Sequence, residues 1–149
     1  MRVVVQRVTE GSVAIAENNY EERIGKGLVV LLGIKNDDTG RDAEFLADKC
    51  YNLRIFQDEN DKMNLSIKDI DGDMLIISQF TLYGDAQKGN RPGFTDAARP
   101  EIAIPLYEKF IVRIKKNIGE SKVKTGIFGA MMLVKIFNDG PVTIIIDSK

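Results

Sequence analysis

The sequence contains no histidine among its 149 residues. This absence removes the usual general base of Ser–His and Cys–His catalysis and the commonest protein ligand of transition metals. Any catalysis must therefore rely on carboxylates, lysines, hydroxyls, backbone dipoles or the substrate itself. A Mg²⁺ site made only of carboxylates stays open, because Asp and Glu together number 22.

Cysteine is almost as scarce, since Cys50 is the only one. No internal disulfide can form, and one thiolate is too few for a structural zinc site. Cys50 falls among apolar residues at helical spacing, which favours a small buried core residue over a nucleophile.

Long apolar runs are missing too. The longest, residues 27–34, is far too short to cross a bilayer. Near the N-terminus a second charge, Arg7, follows a short run of valines, and no small-residue cleavage site appears, so no secretory signal is predicted. We therefore expect a cytoplasmic protein without a membrane partner, and the length suits a single domain over residues 1–149.

The net charge is only −1, but basic residues concentrate in the second half of the chain. Ten lysines and arginines but only four acids lie between Lys88 and Lys135. Such a segment permits contact with a phosphate backbone. From the charge alone, a solvated helix face is the favoured interpretation.

Hydrophobic periodicity predicts more strands than helices. Strands are expected at 2–8, around Val13 and Ile15, and at 20–25, 27–34, 54–56, 73–82, 122–125, 131–137 and 142–147. Short turns join most consecutive strands, which favours an α+β domain. We expect a mostly antiparallel curved sheet or barrel-like core with two main helices packed against it.

The two helices are predicted over 40–53 and about 100–117. Asp38 or Thr39 would cap the first, and Pro105 would kink the second or mark its start. Residues 57–73 read as a loop, apart from one turn of helix near Leu65. Residues 84–99 form a second loop, whose length favours a functional role.

Ser78, Gln79, Phe80 and Thr81 end the strand predicted at 73–82. In a regular strand Ser78 and Phe80 would face one side, and Gln79 and Thr81 the other. Hydroxyls, an amide and free backbone N–H groups can bind a developing oxyanion, although strand propensity alone also explains these residues. No Gly-x-Ser-x-Gly surrounds Ser78, so it is not a nucleophile elbow.

Residues 138–143, Asn-Asp-Gly-Pro-Val-Thr, lie between two predicted strands. Their turn chemistry is typical of a hairpin. The functional alternative is that Gly140-Pro141 presents backbone carbonyls at an exposed tip, where a cis bond would indicate a purpose.

Two glycine-rich segments complete the candidates. In residues 125–132, two glycines flank Phe128, which suits either a pocket that tolerates many side chains or a bulged strand. Residues 88–94 form a basic loop with one aromatic, suited either to phosphates and a stacked base or to a plain surface.

Together and in this order, these segments resemble the D-aminoacyl-tRNA deacylase family in its bacterial and eukaryotic form. The resemblance spans the whole chain. It includes the runs at 1–8, 52–56, 62–66, 78–84, 89–94, 125–132 and 138–143. The Ser-Gln-Phe-Thr-Leu and Asn-Asp-Gly-Pro-Val-Thr runs at this separation are highly specific.

The resemblance implies a homodimer with its active site at the subunit interface and no cofactor or metal. In the family, the motif matched by Gly140-Pro141 has a cis bond and enters the partner's pocket, where its carbonyls exclude L side chains. Many D side chains are tolerated, and glycine would be accepted as well. The expected substrate is aminoacyl-tRNA, contacted at its 3′ end and acceptor stem.

The resemblance also implies roles for individual residues. Ser78, Gln79, Phe80 and Thr81 would line the site of the 3′-terminal adenosine, with Thr81 as the family's proposed nucleophile. Because no histidine can deprotonate Thr81, we favour assistance by the 2′-OH of the tRNA, with Gln79 and Phe80 backbone amides as oxyanion donors. The remaining pocket and support residues are Arg7, Phe94, Phe128, Gly129, Ala130 and Met132.

Lys88 and Arg91 are expected to contact the tRNA, together with the basic helix 109–116. Arg7 is expected to hold the Gly140-Pro141 turn by bonding its backbone. The main alternative is a non-catalytic nucleic-acid-binding module. A sheet that merely dimerises and a metal-dependent hydrolase are weaker alternatives.

Overall fold

In the computed structural model, which describes residues 1–149, the long strand β1 organises the sheet because three other strands pair with it. The strands are β1 (Arg2–Ile15), β2 (Tyr20–Ile24), β3 (Gly27–Gly33), β4 (Phe56–Gln57), β5 (Met63–Leu65), β6 (Asp73–Ser78), β7 (Val123–Thr125) and β8 (Leu133–Asp147). The helices are α1 (Gly40–Asn52) and α2 (Pro100–Ile118), with 3₁₀ turns at Ala16–Asn18, Phe80–Tyr83 and Glu120–Lys122.

Antiparallel pairs join β1 to β2, β3 and β8, whereas β3–β6 and β6–β7 are parallel. The far strand β7 returns towards β2, where the Tyr20 hydroxyl donates to the Thr125 carbonyl at 2.8 Å. Lys124 also pairs with Glu22 across the same gap at 3.3 Å. The sheet is therefore curved and barrel-like, and the expected α+β class is confirmed.

Two apolar clusters hold the sheet. The larger lies between the sheet and both helices, and it includes Leu46, Phe110 and Ile76. The smaller covers the other face around Val29, Leu75 and Ile77. Each fully buried Leu, Ile or Phe side chain contributes about 1.5–3 kcal/mol relative to exposure. No helix is long and apolar enough to span a membrane.

Both predicted helices form at nearly the expected places. Thr39 is the N-cap of α1, and the Asp42 carboxylate accepts from the Thr39 backbone N–H at 2.8 Å and from its hydroxyl at 2.7 Å. α2 begins at Pro100, so Pro105 does not mark the start. Cys50 is buried on α1, and burial raises the pKa of its thiol to about 12, so it is the inert core residue that was expected.

The strand predictions at 2–8 and 13–15 are wrong in one respect, because β1 runs through both without a break. Near Leu65 the chain forms strand β5, which pairs with β4, rather than a turn of helix. The predicted strand at 54–56 is displaced, since β4 covers only Phe56–Gln57.

The predicted strand at 73–82 is too long, because β6 ends at Ser78. Gln79 leaves the extended conformation, with φ −142° and ψ 79°, and Phe80–Tyr83 then form a 3₁₀ turn. Gly33 permits the turn to lie against β3, since a Cβ there would meet the Leu82 Cβ at 3.0 Å. The strict two-sided alternation expected for Ser78 to Thr81 is therefore wrong.

The hairpin interpretation of residues 138–143 is also wrong. Both halves of β8 run antiparallel to the same strand β1, with Thr143 opposite Gln6 and Asn138 opposite Val8. Residues 139–142 are therefore a bulge opposite Arg7, within one long strand. The Asn138 side chain closes the bulge by accepting from Val142 N–H at 3.1 Å and donating to the Thr143 hydroxyl at 3.0 Å.

Candidate active site

A cavity of about 370 Å³ opens beside the carboxyl ends of β3 and β6. Ser78, Gln79 and Phe80 line it from the end of β6, and Phe128–Met132 line it from the segment before β8. The structure thus brings together two segments that are about fifty residues apart in the sequence. The other lining residues are apolar: Leu32, Ile34, Ile77, Ala98, Ala103 and Val134.

Sequence reasoning missed several of these apolar lining residues. Leu32 and Ile77 occupy ordinary strand positions, and Ala103 belongs to the buried stripe of α2. Nothing in their type or spacing separates a cavity wall from a core. Their common signal is position at the carboxyl end of adjacent parallel strands, which becomes visible only once the pairing of β3 with β6 is known.

The backbone amides at the cavity edge differ in availability. Gln79 N–H already donates to the Leu32 carbonyl at 2.8 Å. Its expected role as an oxyanion donor stays a prediction, against which this hydrogen bond counts. Phe80 N–H opens the 3₁₀ turn, where the first backbone donors have no partner within the helix.

Thr81 lies just outside the cavity, exposed on the 3₁₀ turn. The side-chain amide of Gln79 donates to its hydroxyl oxygen at 2.5 Å. An amide does not take up a proton near neutral pH, so this contact orients Thr81 without making it a nucleophile.

Phe94 meets Phe80 at the cavity mouth. Their rings are edge to face with centroids 5.0 Å apart, and both are partly exposed. Gly84 lets Phe94 approach, since a Cβ there would lie 3.0 Å from its ring. Two hydrogen bonds of 2.8 Å between Asp85 and Gly93 fold the basic loop back towards the site.

The Phe128 segment is held by close packing. Phe128 lies against Tyr107 with ring centroids 5.8 Å apart, and the Tyr107 hydroxyl donates to the Ile76 carbonyl at 3.0 Å. Gly126 lets the segment fold over itself, because a Cβ there would lie 2.3 Å from the Met132 sulfur. Gly129 and Ala130 then line the cavity.

Arg7 is buried opposite the bulge of β8. Its Nε donates to the Asp139 carbonyl at 3.2 Å and lies 3.3 Å from the Asp139 carboxylate. Its Nη1 donates to the Ile55 carbonyl at 2.7 Å. The peptide bond between Gly140 and Pro141 is cis, and both residues are exposed.

Within one chain the bulge does not reach the cavity. Arg7 is paired with Leu28, and Ser78 is paired with Leu32, four residues further along β3. At about 3.3 Å per residue, the two sites are separated by roughly 13 Å along the strand. Gly140 and Pro141 are therefore not brought together with Ser78, Gln79, Phe80 and Thr81.

The basic residues are not equivalent. Lys88 and Arg91 are exposed on the loop beside Phe94. On α2, by contrast, three cations are held by carboxylates: Lys109 by Glu44 at 3.0 Å, Arg113 by Asp48 at 2.7 Å and Lys115 by Glu120 at 2.6 Å. No three Asp, Glu or Cys side chains converge to hold a metal ion.

Comparison with known proteins gives concordant matches. A family model described as D-Tyr-tRNA(Tyr) deacylase matches residues 4–147. Proteins named D-aminoacyl-tRNA deacylase are similar over the full chain. One from Clostridioides difficile is 56% identical, with 98% of the relative covered, and one from Clostridium botulinum is 58% identical, also with 98% covered.

Two solved structures share the fold. One described as c-Myc DNA Unwinding Element Binding Protein has a TM-score of 0.93 and 42% identity, covering 100% of this chain and 99% of that one. Another, described as a probable eukaryotic D-amino acid tRNA deacylase, has a TM-score of 0.83 and 20% identity, covering 98% of each chain. The second likeness concerns the fold alone.

Proposed function

Because the chain belongs to the D-Tyr-tRNA(Tyr) deacylase family, we propose that it removes D-amino acids, and glycine, from tRNA while rejecting L-aminoacyl esters. The chain is a hydrolase of the ester bond between amino acid and tRNA.

The observation that carries the proposal is the cavity between Phe80 and Phe128. It is lined mostly by apolar groups, and the amide of Phe80 opens the 3₁₀ turn at its edge. An ester carbonyl there would meet a backbone donor, and one such donor contributes about 3–4 kcal/mol to the developing oxyanion. The Phe80–Phe94 pair at the mouth offers aromatic faces to the terminal adenine.

We place the proton transfers on the substrate. Water adds to the ester carbonyl carbon, the bond to the ribose 3′ oxygen breaks, and the neighbouring 2′-OH relays the proton to the leaving oxygen. Thr81 is a poor candidate for the nucleophile, because the only side-chain hydrogen-bond partner of its hydroxyl is the Gln79 amide. Alignment of the reacting groups can contribute about 7 kcal/mol or more without a protein base.

Enantiomer rejection requires a second copy of the chain. The Gly140-Pro141 bulge is exposed and lies roughly 13 Å from its own cavity along β3. In the proposed homodimer the bulge of one protomer enters the cavity of its partner. Its backbone carbonyls fill the space that an L side chain needs, whereas a hydrogen atom or a D side chain avoids them.

Both the open edge and the exposed apolar face of β8 support such a dimer. β8 pairs only with β1, so one edge of a 15-residue strand remains open. Leu133, Phe137 and Ile145 are each more than half exposed on its outer face. A long apolar edge strand is an association surface unless it is covered. The bulge lies in the middle of this strand, so a partner bound along β8 would also receive Gly140 and Pro141.

We assign the tRNA backbone to the loop that carries Lys88, Arg91 and Phe94. Phe94 of this loop contacts Phe80 at the cavity mouth. The cations of the loop therefore lie where the 3′ end of the tRNA must pass to enter the cavity. On α2 the cations Lys109 and Arg113 already have carboxylate partners, so they contribute less to phosphate binding.

The test is single-turnover deacylation of D-Tyr-tRNA, L-Tyr-tRNA and Gly-tRNA by the purified protein with a chelator present. We expect rapid loss of the D-tyrosyl and glycyl esters and none of the L-tyrosyl ester. The 42% identical solved structure is described as a DNA-binding protein, which suggests one alternative function, nucleic-acid binding without turnover. Binding of all three tRNAs with no acceleration of hydrolysis would support that alternative and contradict the proposed function.

A further inference from the structure

We call the Gly140-Pro141 bulge, together with Arg7 bonded to it, the enantiomer filter. Arg7 has a second backbone partner outside this bulge. Arg7 as a whole is only 6% exposed, so its guanidinium needs acceptors inside the protein. The Ile55 carbonyl accepts from Nη1 at 2.7 Å, a shorter contact than the 3.2 Å bond to the Asp139 carbonyl. The position of Arg7 therefore depends on the segment that presents Ile55.

That segment enters the β4–β5 hairpin on the surface. Ile55 N–H bonds the Leu53 carbonyl at 3.2 Å, and Phe56 is paired with Leu65 across the hairpin. The preceding residue, Arg54, forms a clasp with Asn64 on the facing strand. Its Nε donates to the Asn64 carbonyl at 2.7 Å, and its Nη2 donates to the Asn64 side-chain oxygen.

We propose that Arg54 and Asn64 are positioning residues of the enantiomer filter: their clasp fixes the Ile55 carbonyl, which holds Arg7 against the Asp139–Gly140 backbone. The two residues are exposed and touch neither the cavity nor the bulge. They act through Arg7, because the guanidinium either follows a displaced carbonyl or loses a hydrogen bond in a buried setting. The inference rests on the proposed function, since it concerns the precision of enantiomer rejection.

Arg54→Ala and Asn64→Ala test the proposal through the ratio of kcat/KM for D-Tyr-tRNA to that for L-Tyr-tRNA. The two substrates share the tRNA, so loss of a cation from Arg54 cancels in the ratio. We expect the ratio to fall about threefold to tenfold in Arg54→Ala, the range that one net hydrogen bond supports, and less in Asn64→Ala, which keeps the backbone carbonyl that accepts from Arg54 Nε. The fall comes from a faster L reaction, with the D reaction nearly unchanged.

Two further variants isolate the clasp. Asn64→Asp keeps the oxygen that accepts from Arg54, so it should restore the wild-type ratio. Arg23→Ala removes a similar surface fork, in which Nε and Nη2 donate to Glu21 at 3.0 and 2.7 Å on β2, and should leave the ratio unchanged. A proportional fall of both rates in Arg54→Ala and Asn64→Ala, with the ratio constant, would show a merely structural role and overturn the proposal.

The outcome separates this inference from the function beneath it. If Arg7→Ala loses discrimination while Arg54→Ala and Asn64→Ala keep it, the clasp is not a positioning element and the filter stands. If the wild-type protein does not hydrolyse the D ester, the proposed function fails, and the inference fails with it.

Discussion

The guanidinium of Arg7 lies against the space that a side chain on Gly140 would occupy, because a Cβ on Gly140 would be 3.0 Å from Arg7 Nη2. The same Cβ would lie 2.9 Å from the Val142 side chain, and the φ of Gly140 is +121°. Glycine is therefore required at this position both by its backbone conformation and by its neighbours.

Gly140→Ala should destabilise the protein and weaken enantiomer rejection together. A residue forced into this region of backbone conformation costs about 1–3 kcal/mol, and the new methyl group also displaces Arg7. Urea denaturation measures the first effect and L-Tyr-tRNA hydrolysis the second. Gly89→Ala is the matched control, because Gly89 also has a positive φ, +153°, but has no neighbour within 4 Å. Equal effects on L hydrolysis in both variants would contradict the account.

Thr81→Val should reduce the single-turnover rate by less than about tenfold, since Thr81 only receives a hydrogen bond from Gln79. Substrate whose terminal adenosine lacks the 2′-OH should react slower by about two orders of magnitude or more, the contribution typical of an acid–base group. The reverse pattern, in which Thr81→Val abolishes turnover and the deoxy substrate reacts normally, would restore Thr81 as the nucleophile.

Much of the site could be predicted from short motifs. Ser78 to Phe80 and Phe128 to Met132 were expected at a site, and the structure brings them to one cavity. The bulge at Gly140 could not be told from a hairpin, because Asn-Asp-Gly-Pro has the same turn chemistry in both. Only the long-range pairing of both halves of β8 with β1 distinguishes the bulge from a hairpin. The end of β6 at Ser78 was missed for a similar reason: Thr81 and Phe80 have high strand propensity, and the close approach of Gly33 overrides it.

Lys88→Ala and Arg91→Ala should each weaken tRNA binding and reduce the slope of log affinity against log salt concentration by about one, as expected for one lost phosphate contact. Lys109→Ala is the matched control, because Lys109 is paired with Glu44 at 3.0 Å. Filter binding at several salt concentrations measures all three. A larger decrease of this slope in Lys109→Ala than in the loop variants would indicate that the tRNA backbone binds along α2 instead.

Asp42 gives a prediction for acid stability. Desolvation raises the pKa of Asp42, but hydrogen bonds from Thr39 and Ser148 and the charge of Lys149 together outweigh that effect and hold the pKa at about 2, below the ordinary 3.8. A lowered folded-state pKa stabilises the protein above pH 3.8, and this contribution is lost as the pH falls towards 2.

In the wild-type protein the free energy of unfolding should fall as the pH is lowered from about 4 to 2. Asp42→Asn should reduce the slope of this fall by up to roughly 1.4 kcal/mol per pH unit. Denaturant titrations at each pH measure it, with Glu59→Gln, an exposed carboxylate, as the control. An identical acid slope in Asp42→Asn and the wild-type protein would contradict the assignment.

Mixed dimers test most directly the claim that one protomer screens substrate in the cavity of its partner. One protomer carries Ala130→Trp, which fills its cavity, and the other carries Arg7→Ala, which loosens its bulge. The only open cavity then faces an intact bulge. The account predicts that this dimer hydrolyses D-Tyr-tRNA and rejects L-Tyr-tRNA, while the Arg7→Ala homodimer hydrolyses both. Hydrolysis of L-Tyr-tRNA by the mixed dimer, at the rate per open cavity of the Arg7→Ala homodimer, would contradict it.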